Sequence, residues 1–172
     1  MNIFVTDPDP TISATTLPDK HVVKMPLETC QMLSIVCSAE WGHGYGRLPR
    51  KEGGYYKTEK GAFRNHPCTV WANESLQNAW WLLAHGLALC EEYTYRYGKV
   101  HSCEETLLEA TKILPETPLP FRPTTPFVFA GPDEFKYDKS IDIFTAYKRY
   151  VASKPWVADN YLRKPDRKPE WV

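Results

Sequence analysis

Three ionisable residues near the start of the chain could act together in one reaction. His21, Lys24 and Glu28 are separated by three and four positions, so in a helix their side chains fall on one face. An imidazole, an amine and a carboxylate in one cleft can move protons and supply a nucleophile. The surrounding residues are mostly apolar, so each of these groups needs a partner or a cleft. Burial would also shift the pKa of the amine or the carboxylate toward neutrality.

The same spacing also allows a structural interpretation. Lys24 and Glu28 are four positions apart and can form an ion pair along a helix. His21 can equally be a hydrogen-bonded histidine of the core. We expect a site here, with Glu28, His21 and Lys24 as its candidate catalytic groups.

A second candidate is the sequence Arg64-Asn65-His66-Pro67. Pro67 fixes the backbone just beyond Asn65 and His66, so the two side chains have a reproducible direction. The alternative is a turn that leads into a helix through its proline. Glu74, His85 and His101 are also ionisable, but we interpret them as structural or surface residues and not as parts of a site.

The segment from residue 41 to residue 66 combines positive charge with aromatic rings. It contains six Lys or Arg residues against two Glu residues, and its rings are Trp41, Tyr45, Tyr55, Tyr56 and Phe63. Rings beside positive charges are typical of surfaces that hold phosphates and unstacked bases. A solvated loop whose rings pack back onto the protein is the alternative. We expect the Trp and Tyr residues of this segment to contact a substrate.

The elements that must position these residues are helical. Apolar periodicity and capping signals predict four helices, over residues 20–39, 73–97, 102–114 and 141–152. Asp19 is the expected N-cap of the first helix, and Gly98 the C-cap of the second. Two prolines between residues 7 and 10 argue against a helix there. The sequence therefore predicts a mainly α fold: a single compact helical domain over residues 1–172, with long ordered aromatic and proline-rich loops and at most a short N-terminal strand.

Composition limits the classes of function. The 172 residues carry 21 basic and 21 acidic side chains, so no broad electropositive field attracts nucleic acid and any such contact must be local. Five cysteines without a C-x-x-C spacing predict reduced thiols. No metal-ligand spacing is present, and no metal or cofactor is expected. The chain has neither a long apolar run nor a secretory signal, so we expect a cytoplasmic protein without membrane contact.

About the first thirty residues resemble the N-terminus of a known enzyme family. Asp19-Lys20-His21, followed by six residues and Glu28, resembles the D-x-H-x(6)-E pattern of the phage pyrimidine-dimer DNA glycosylases of the endonuclease V type. A larger signature is similar to a phage-encoded branch with that label. It comprises residues 65–71, 91–99, 125–127 and 132–136. The resemblance implies an all-helical domain, located in the host cytoplasm if the protein is phage-encoded.

The resemblance also implies a reaction. An amine attacks the sugar C1′ of a damaged nucleotide, forms a Schiff base and allows strand cleavage by β-elimination. Glu28 would be the catalytic carboxylate and His21 a supporting group. The family exposes the amine of a threonine at position 2, whereas this chain has Asn2, so we expect Met1 to be retained. The nucleophile would be the amine of Met1 or, failing that, Lys24. Leu27 and Gln31 occupy positions where the family carries phosphate-binding arginines.

Three functions remain open from the sequence. The first is a DNA glycosylase with lyase activity on a damaged or modified pyrimidine nucleotide. Its expected substrate contacts are Arg64, Asn65, His66, Trp41, Tyr45, Tyr55, Tyr56 and Trp71. The second is a phage protein that binds or hydrolyses a free nucleotide, nucleoside or nucleotide defence signal. The third is a non-catalytic nucleotide-binding module. DNA or a nucleotide is thus the expected ligand, and the sequence carries no signal for an oligomeric state.

Overall fold

The computed structural model describes residues 1–38, 47–58, 63–136 and 138–172. Seven α-helices lie within these ranges: α1 (Pro10–Thr15), α2 (Asp19–Val36), α3 (Pro67–Ala72), α4 (Leu76–Tyr97), α5 (Glu104–Ile113), α6 (Asp133–Lys136) and α7 (Ile143–Ala152). Short 3-10 turns follow at Leu114–Glu116, Val157–Asp159 and Pro165–Arg167. The described residues contain no β-strand, only an isolated bridge between Pro49 and Tyr55. The mainly α fold expected from the sequence is confirmed.

Helices α2 and α4 form the centre of the molecule. Both are buried on most of their surface, which explains why their apolar residues point nearly all round. They approach each other closely at Gly86 of α4, where an added Cβ would lie 2.6 Å from Cγ2 of Thr29. A side chain at position 86 would therefore separate the two helices. The N-terminal segment, α3, α5 and α7 contribute further residues to the same hydrophobic core.

The bounds of the predicted helices differ from those observed at several ends. Helix α2 begins at Asp19 and ends at Val36, and its N-cap is Pro18, so Asp19 is not the cap. The helix predicted over 73–97 is α4, which begins three residues later, at Leu76 after the Ser75 cap; the sequence pattern missed the separate short helix α3, which ends at Ala72. Helix α5 starts at Glu104, two residues after the predicted start, and its N-cap residue Cys103 makes no capping side-chain hydrogen bond. Gly98 caps α4 in the left-handed conformation, as predicted.

The N-terminal segment is buried and extended. Ile3, Phe4 and Val5 are at most 7% exposed and belong to the core. The expectation that prolines exclude a helix after residue 7 was wrong. Pro10 is the first residue of α1, where a missing amide hydrogen costs nothing, and Asp9 caps the helix by accepting from the amides of Thr11 and Ile12.

A buried ion-pair network joins α2, α4 and the C-terminal segment. Arg96 lies 3.1 Å from Oδ1 of Asp19 and donates through Nε to Glu92 at 2.8 Å, and its side chain is fully buried. Glu92 also accepts from Nε of Arg167 at 3.0 Å. Asp19, the first residue of the D-x-H-x(6)-E pattern, therefore has a structural role as the partner of Arg96.

The proline-rich stretch after α5 is tied to the helical body. Asn78 of α4 donates to Oγ1 of Thr125 at 2.7 Å and accepts from the Thr125 amide at 3.0 Å. Thr125 in turn donates to Glu74 at 2.6 Å. These bonds hold this stretch against α4. Among the described residues, no helix is both long and apolar enough to cross a membrane.

Candidate functional site

The α-amine of Met1 lies beside the carboxylate of Glu28. Its nitrogen is 3.5 Å from Oε2 of Glu28, and the same oxygen accepts from the amide of Asn2 at 2.8 Å. The Glu28 side chain is only 12% exposed. An amine that can attack an electrophile is therefore next to a carboxylate that can accept its proton, in a partly buried setting.

The side chain of Asn2 fixes the position of this amine. Its Oδ1 accepts from the amides of Ile3 at 2.7 Å and Phe4 at 3.1 Å, and its Nδ2 donates to the carbonyl of Ala130. Asn2 is 6% exposed, so these bonds are shielded from water. The amide side chain thus ties the first residue to the loop before α6.

His66 lies close to the same two charges. It caps α3, and its Nδ1 accepts from the amide of Cys68 at 3.2 Å, which places a hydrogen on Nε2 of the neutral ring. Burial lowers the pKa of His66, and the positive amine of Met1 lowers it further, while Glu28 acts in the opposite direction. The N-terminus of the chain, α2 and the start of α3 therefore converge on one site.

His21 has a different environment. Its ring stacks on Phe4 with centroids 4.2 Å apart and meets Trp156 edge-on at 5.7 Å. Burial lowers the pKa of His21 to about 3, and the nearby charges of Lys154 and Lys24 act in the same direction. The ring is therefore neutral at pH 7, and its Nδ1 is buried without a hydrogen-bond partner among the described residues.

Lys24 connects Glu28 to a large cavity. Its Nζ lies 3.8 Å from Oε1 of Glu28, and its side chain is 69% exposed, so this is a weak surface ion pair. The same side chain lines a cavity of about 1060 Å³ together with Leu27 and Gln31 of α2. The carboxylate and the cavity are therefore neighbours on α2, although Glu28 itself is not one of the lining residues.

The described residues that line the cavity carry an excess of positive charge. Five are basic and one, Glu52, is acidic; the basic ones are Lys24, Arg50, Lys51, Lys57 and Lys99. Glu52 pairs with Arg50 at 3.5 Å. Aromatic rings of Tyr56, Phe63 and Tyr93 line the same space. Positive charges beside exposed rings form a surface suited to a phosphate-bearing ligand.

The remaining predicted contacts are scattered. Tyr56 lines this cavity, whereas Tyr55 lines a separate one beside Glu109 and Lys112. Arg64 donates to the carbonyl of Thr58 at 2.7 Å, and Asn65 is exposed. Trp71 is fully buried in the core against Trp81 and Phe127, so this conformation does not present it to a ligand. Trp41 and Tyr45 lie outside the described residues.

Sequence reasoning did not assign site positions to Asn2, Lys99 or Cys103. Asn2 acts through contacts to residues far away in the sequence, and no local pattern reveals them. Lys99 lines the cavity and directly follows Gly98, the C-cap of α4, so its position depends on where the chain leaves that helix. Cys103 also lines the cavity, and the sequence offers only a weak indication of this, a histidine at position 101 that could interact with the thiol.

No three His, Cys, Asp or Glu side chains of the described part of the chain come close enough together to hold a metal ion.

The chain matches the family model described as pyrimidine dimer DNA glycosylase over residues 1–105. This range includes Met1, Asn2, Glu28, His66 and the basic residues of the cavity. Neither a curated protein nor a solved structure matches the chain. Because the model covers more than half of the 172 residues, the chain belongs to the pyrimidine dimer DNA glycosylase family.

Proposed function

We propose that this protein is a DNA glycosylase with lyase activity that cleaves the N-glycosidic bond of a damaged pyrimidine nucleotide. The observation that carries the proposal is the separation of 3.5 Å between the Met1 amine and Oε2 of Glu28. Membership of the family supports DNA as the substrate.

The chemistry needs one amine and one carboxylate. In its uncharged form, the Met1 amine forms a bond to C1′ while the bond from C1′ to the base breaks. The electron pair of the broken bond leaves with the base, which takes up a proton from water. Glu28 takes a proton from the attacking nitrogen. Glu28 then returns the proton to the ring oxygen as the bond from C1′ to that oxygen opens, which gives a Schiff base, and transfer of a C2′ proton to water expels the 3′ phosphate. Before it takes the proton from the nitrogen, the ionised carboxylate also stabilises positive charge on the sugar.

The cavity beside Lys24 is the proposed site for the DNA backbone. Arg50, Lys51, Lys57 and Lys99 take the place of the arginines that α2 lacks at Leu27 and Gln31. Each phosphate bound by a cation releases a counterion, so the affinity for DNA falls as salt rises. Replacing Lys51 and Lys57 with alanine should weaken binding and reduce the salt slope by about one for each lost phosphate contact.

Strand cleavage of ultraviolet-irradiated duplex DNA tests the proposal. Wild-type protein should cut the irradiated duplex and leave an unirradiated duplex intact. Glu28→Gln should cut at least about 100-fold more slowly, because it removes the proton acceptor while keeping the side-chain shape. Glu109→Gln is the matched control, since Glu109 forms an exposed pair with Lys112 and should cut at the wild-type rate. Equal rates for wild type and Glu28→Gln would exclude the proposed role of Glu28.

A second candidate function is hydrolysis of a free nucleotide. It is favoured by the volume of the cavity, about 1060 Å³, which lies at the upper end of the range for small-molecule sites. Zero net charge is also less suited to scanning duplex DNA. Under this alternative, incubation with mononucleotides should release free base at a rate that duplex DNA does not reduce. Under the glycosylase proposal, mononucleotides stay intact.

A further inference from the structure

Two thiols from different elements meet at the wall of the basic cavity. Cys30 lies on α2, two positions after Glu28, and Cys103 directly precedes α5. The Sγ of Cys30 is 3.8 Å from the carbonyl oxygen of Cys103, so the two residues are in direct contact. The contact joins positions 73 residues apart in the chain.

Cys103 faces the cavity, whereas Cys30 lies behind it. Cys103 lines the cavity with His101 and Ser102 and is 7% exposed, but Cys30 is fully buried and is not among the lining residues. A small oxidant in the cavity can therefore reach Cys103 first. The other thiols, Cys37, Cys68 and Cys90, are fully buried and do not line the cavity.

The surroundings of Cys103 favour a thiolate. The thiol of Cys30 can donate a hydrogen bond to the Cys103 sulfur, which lowers the pKa of Cys103 to about 5 even though burial acts in the opposite direction. Cys103 also occupies the N-cap position of α5, where the helix dipole stabilises negative charge. Hydrogen bonds with His101 and Ser102 also lower the pKa of Cys103.

His101 holds the segment that carries Cys103 in place. Its Nδ1 accepts from the Cys103 amide at 3.0 Å, and its Nε2 donates to the carbonyl of Val23 at 2.8 Å. The segment before α5 is thus fixed against α2 on the side where Cys30 lies. The approach of the two thiols is therefore supported by contacts of the backbone as well as of the side chains.

We propose that Cys103 is an oxidation site for peroxides in the cavity and that Cys30 is its resolving thiol. The Cys103 thiolate attacks one oxygen of a peroxide, the O–O bond breaks, and the products are a sulfenic acid and a hydroxide or alkoxide that takes up a proton. The Cys30 thiol then attacks the sulfenic sulfur, and water leaves. The two thiols together lose two electrons to the peroxide. The resulting disulfide fixes α2 to the start of α5.

Peptide mapping of the full-length protein tests this proposal without reference to DNA. Reduced protein is treated with hydrogen peroxide at pH 7, alkylated and digested with trypsin under non-reducing conditions. We expect a disulfide between the peptide of residues 100–112, which contains Cys103, and the peptide of residues 25–47. Cys103 should react about tenfold faster than Cys68 and Cys90, which share a third peptide.

Variants identify the partner, because residues 25–47 contain both Cys30 and Cys37. Cys37→Ser should form the disulfide as the wild type does. Cys30→Ser should instead accumulate a Cys103 sulfenic acid that dimedone captures, and Cys103→Ser should leave Cys30 reduced. Circular dichroism verifies that each variant is folded, and fragmentation of the wild-type cross-link identifies the partner if a variant is not.

Two results would overturn the proposal. One is oxidation of Cys103 no faster than that of Cys68 and Cys90 in the wild type. The other is a cross-link from Cys103 to Cys37 or Cys90, or its persistence in folded Cys30→Ser. Neither result depends on glycosylase activity, so the thiol pair and the proposed DNA chemistry can fail separately.

Discussion

At the scale of single residues, three nitrogen atoms surround the Glu28 carboxylate: the Met1 amine, the Asn2 amide and Nζ of Lys24. Helical spacing was sufficient to predict that Lys24 and Glu28 are neighbours. It could not predict Asn2, because the contact joins residues 26 positions apart. His21 shares the predicted face, but Phe4 stacks over its ring, and the path of the N-terminal segment is not encoded in the helical period.

Asn2→Leu, which keeps a large residue after Met1, should destabilise the protein and displace the amine. The substitution leaves the amides of Ile3 and Phe4 without the oxygen that accepts from them, so we expect a loss of about 1–2 kcal/mol in the free energy of unfolding. Urea denaturation measures this change, and the DNA-cutting rate should fall with it. Asn65→Ala is the stability control, because Asn65 is exposed. Unchanged stability and rate in Asn2→Leu would contradict this role.

At the scale of elements, the sequence pattern predicted the longer helices but missed the short helices α1 and α3. Long apolar patterns revealed α2, α4, α5 and α7, but α1 and α3 have only six residues each. A local signal was nevertheless available for both, since Asp9 precedes Pro10 and His66 precedes Pro67. A residue that can cap a helix, followed by proline, is typical of a helix start.

Gly86→Ala tests the contact between α2 and α4. Alanine at an open helical site usually stabilises a helix by up to about 1 kcal/mol relative to glycine. Here the new Cβ would lie 2.6 Å from Thr29 and 3.1 Å from Leu107, so we expect a loss of about 1–3 kcal/mol in the free energy of unfolding. Thermal or urea unfolding measures it.

A double variant separates this clash from other effects. Thr29→Ala removes the methyl group nearest to position 86, so Thr29→Ala combined with Gly86→Ala should be more stable than the sum of the single changes predicts. Strict additivity would argue against a steric contact at this position.

At the scale of the whole molecule, the fold brings positively charged side chains together at one cavity, which the zero net charge does not reveal. The net charge is zero, yet the cavity gathers basic residues from α2, from residues 50–57 and from the end of α4. The sequence indicated the positive segment but could not show that Lys24 and Lys99 join it. That grouping depends on how α2 and α4 pack.

Two buried histidines should make the fold sensitive to acid. Burial lowers the pKa of His21 to about 3 and that of His85 to about 4, whereas an unfolded histidine titrates near 6.5. Below pH 6.5 the unfolded chain therefore binds protons that the folded chain does not. The free energy of unfolding falls with decreasing pH, by about 1.4 kcal/mol per pH unit for each fully titrating histidine.

Urea denaturation at several values between pH 7 and pH 5 measures this slope. His21→Phe removes one of the two groups while keeping a ring to stack on Phe4, so its stability should depend less steeply on pH than that of the wild type. If the stability of His21→Phe and of the wild type depends equally on pH, His21 binds a proton as readily in the folded protein as in the unfolded chain, which would contradict the prediction.

The site of covalent capture tests the central claim most directly. Protein incubated with ultraviolet-irradiated duplex DNA is treated with borohydride, which reduces a Schiff base to a stable bond, and is then digested with trypsin. Cleavage after Lys20 separates Met1 from Lys24. We predict a sugar adduct on the α-amine of the peptide of residues 1–20. Strand cleavage with the adduct on Lys24, or with no adduct at all, would contradict the role of the Met1 amine beside Glu28.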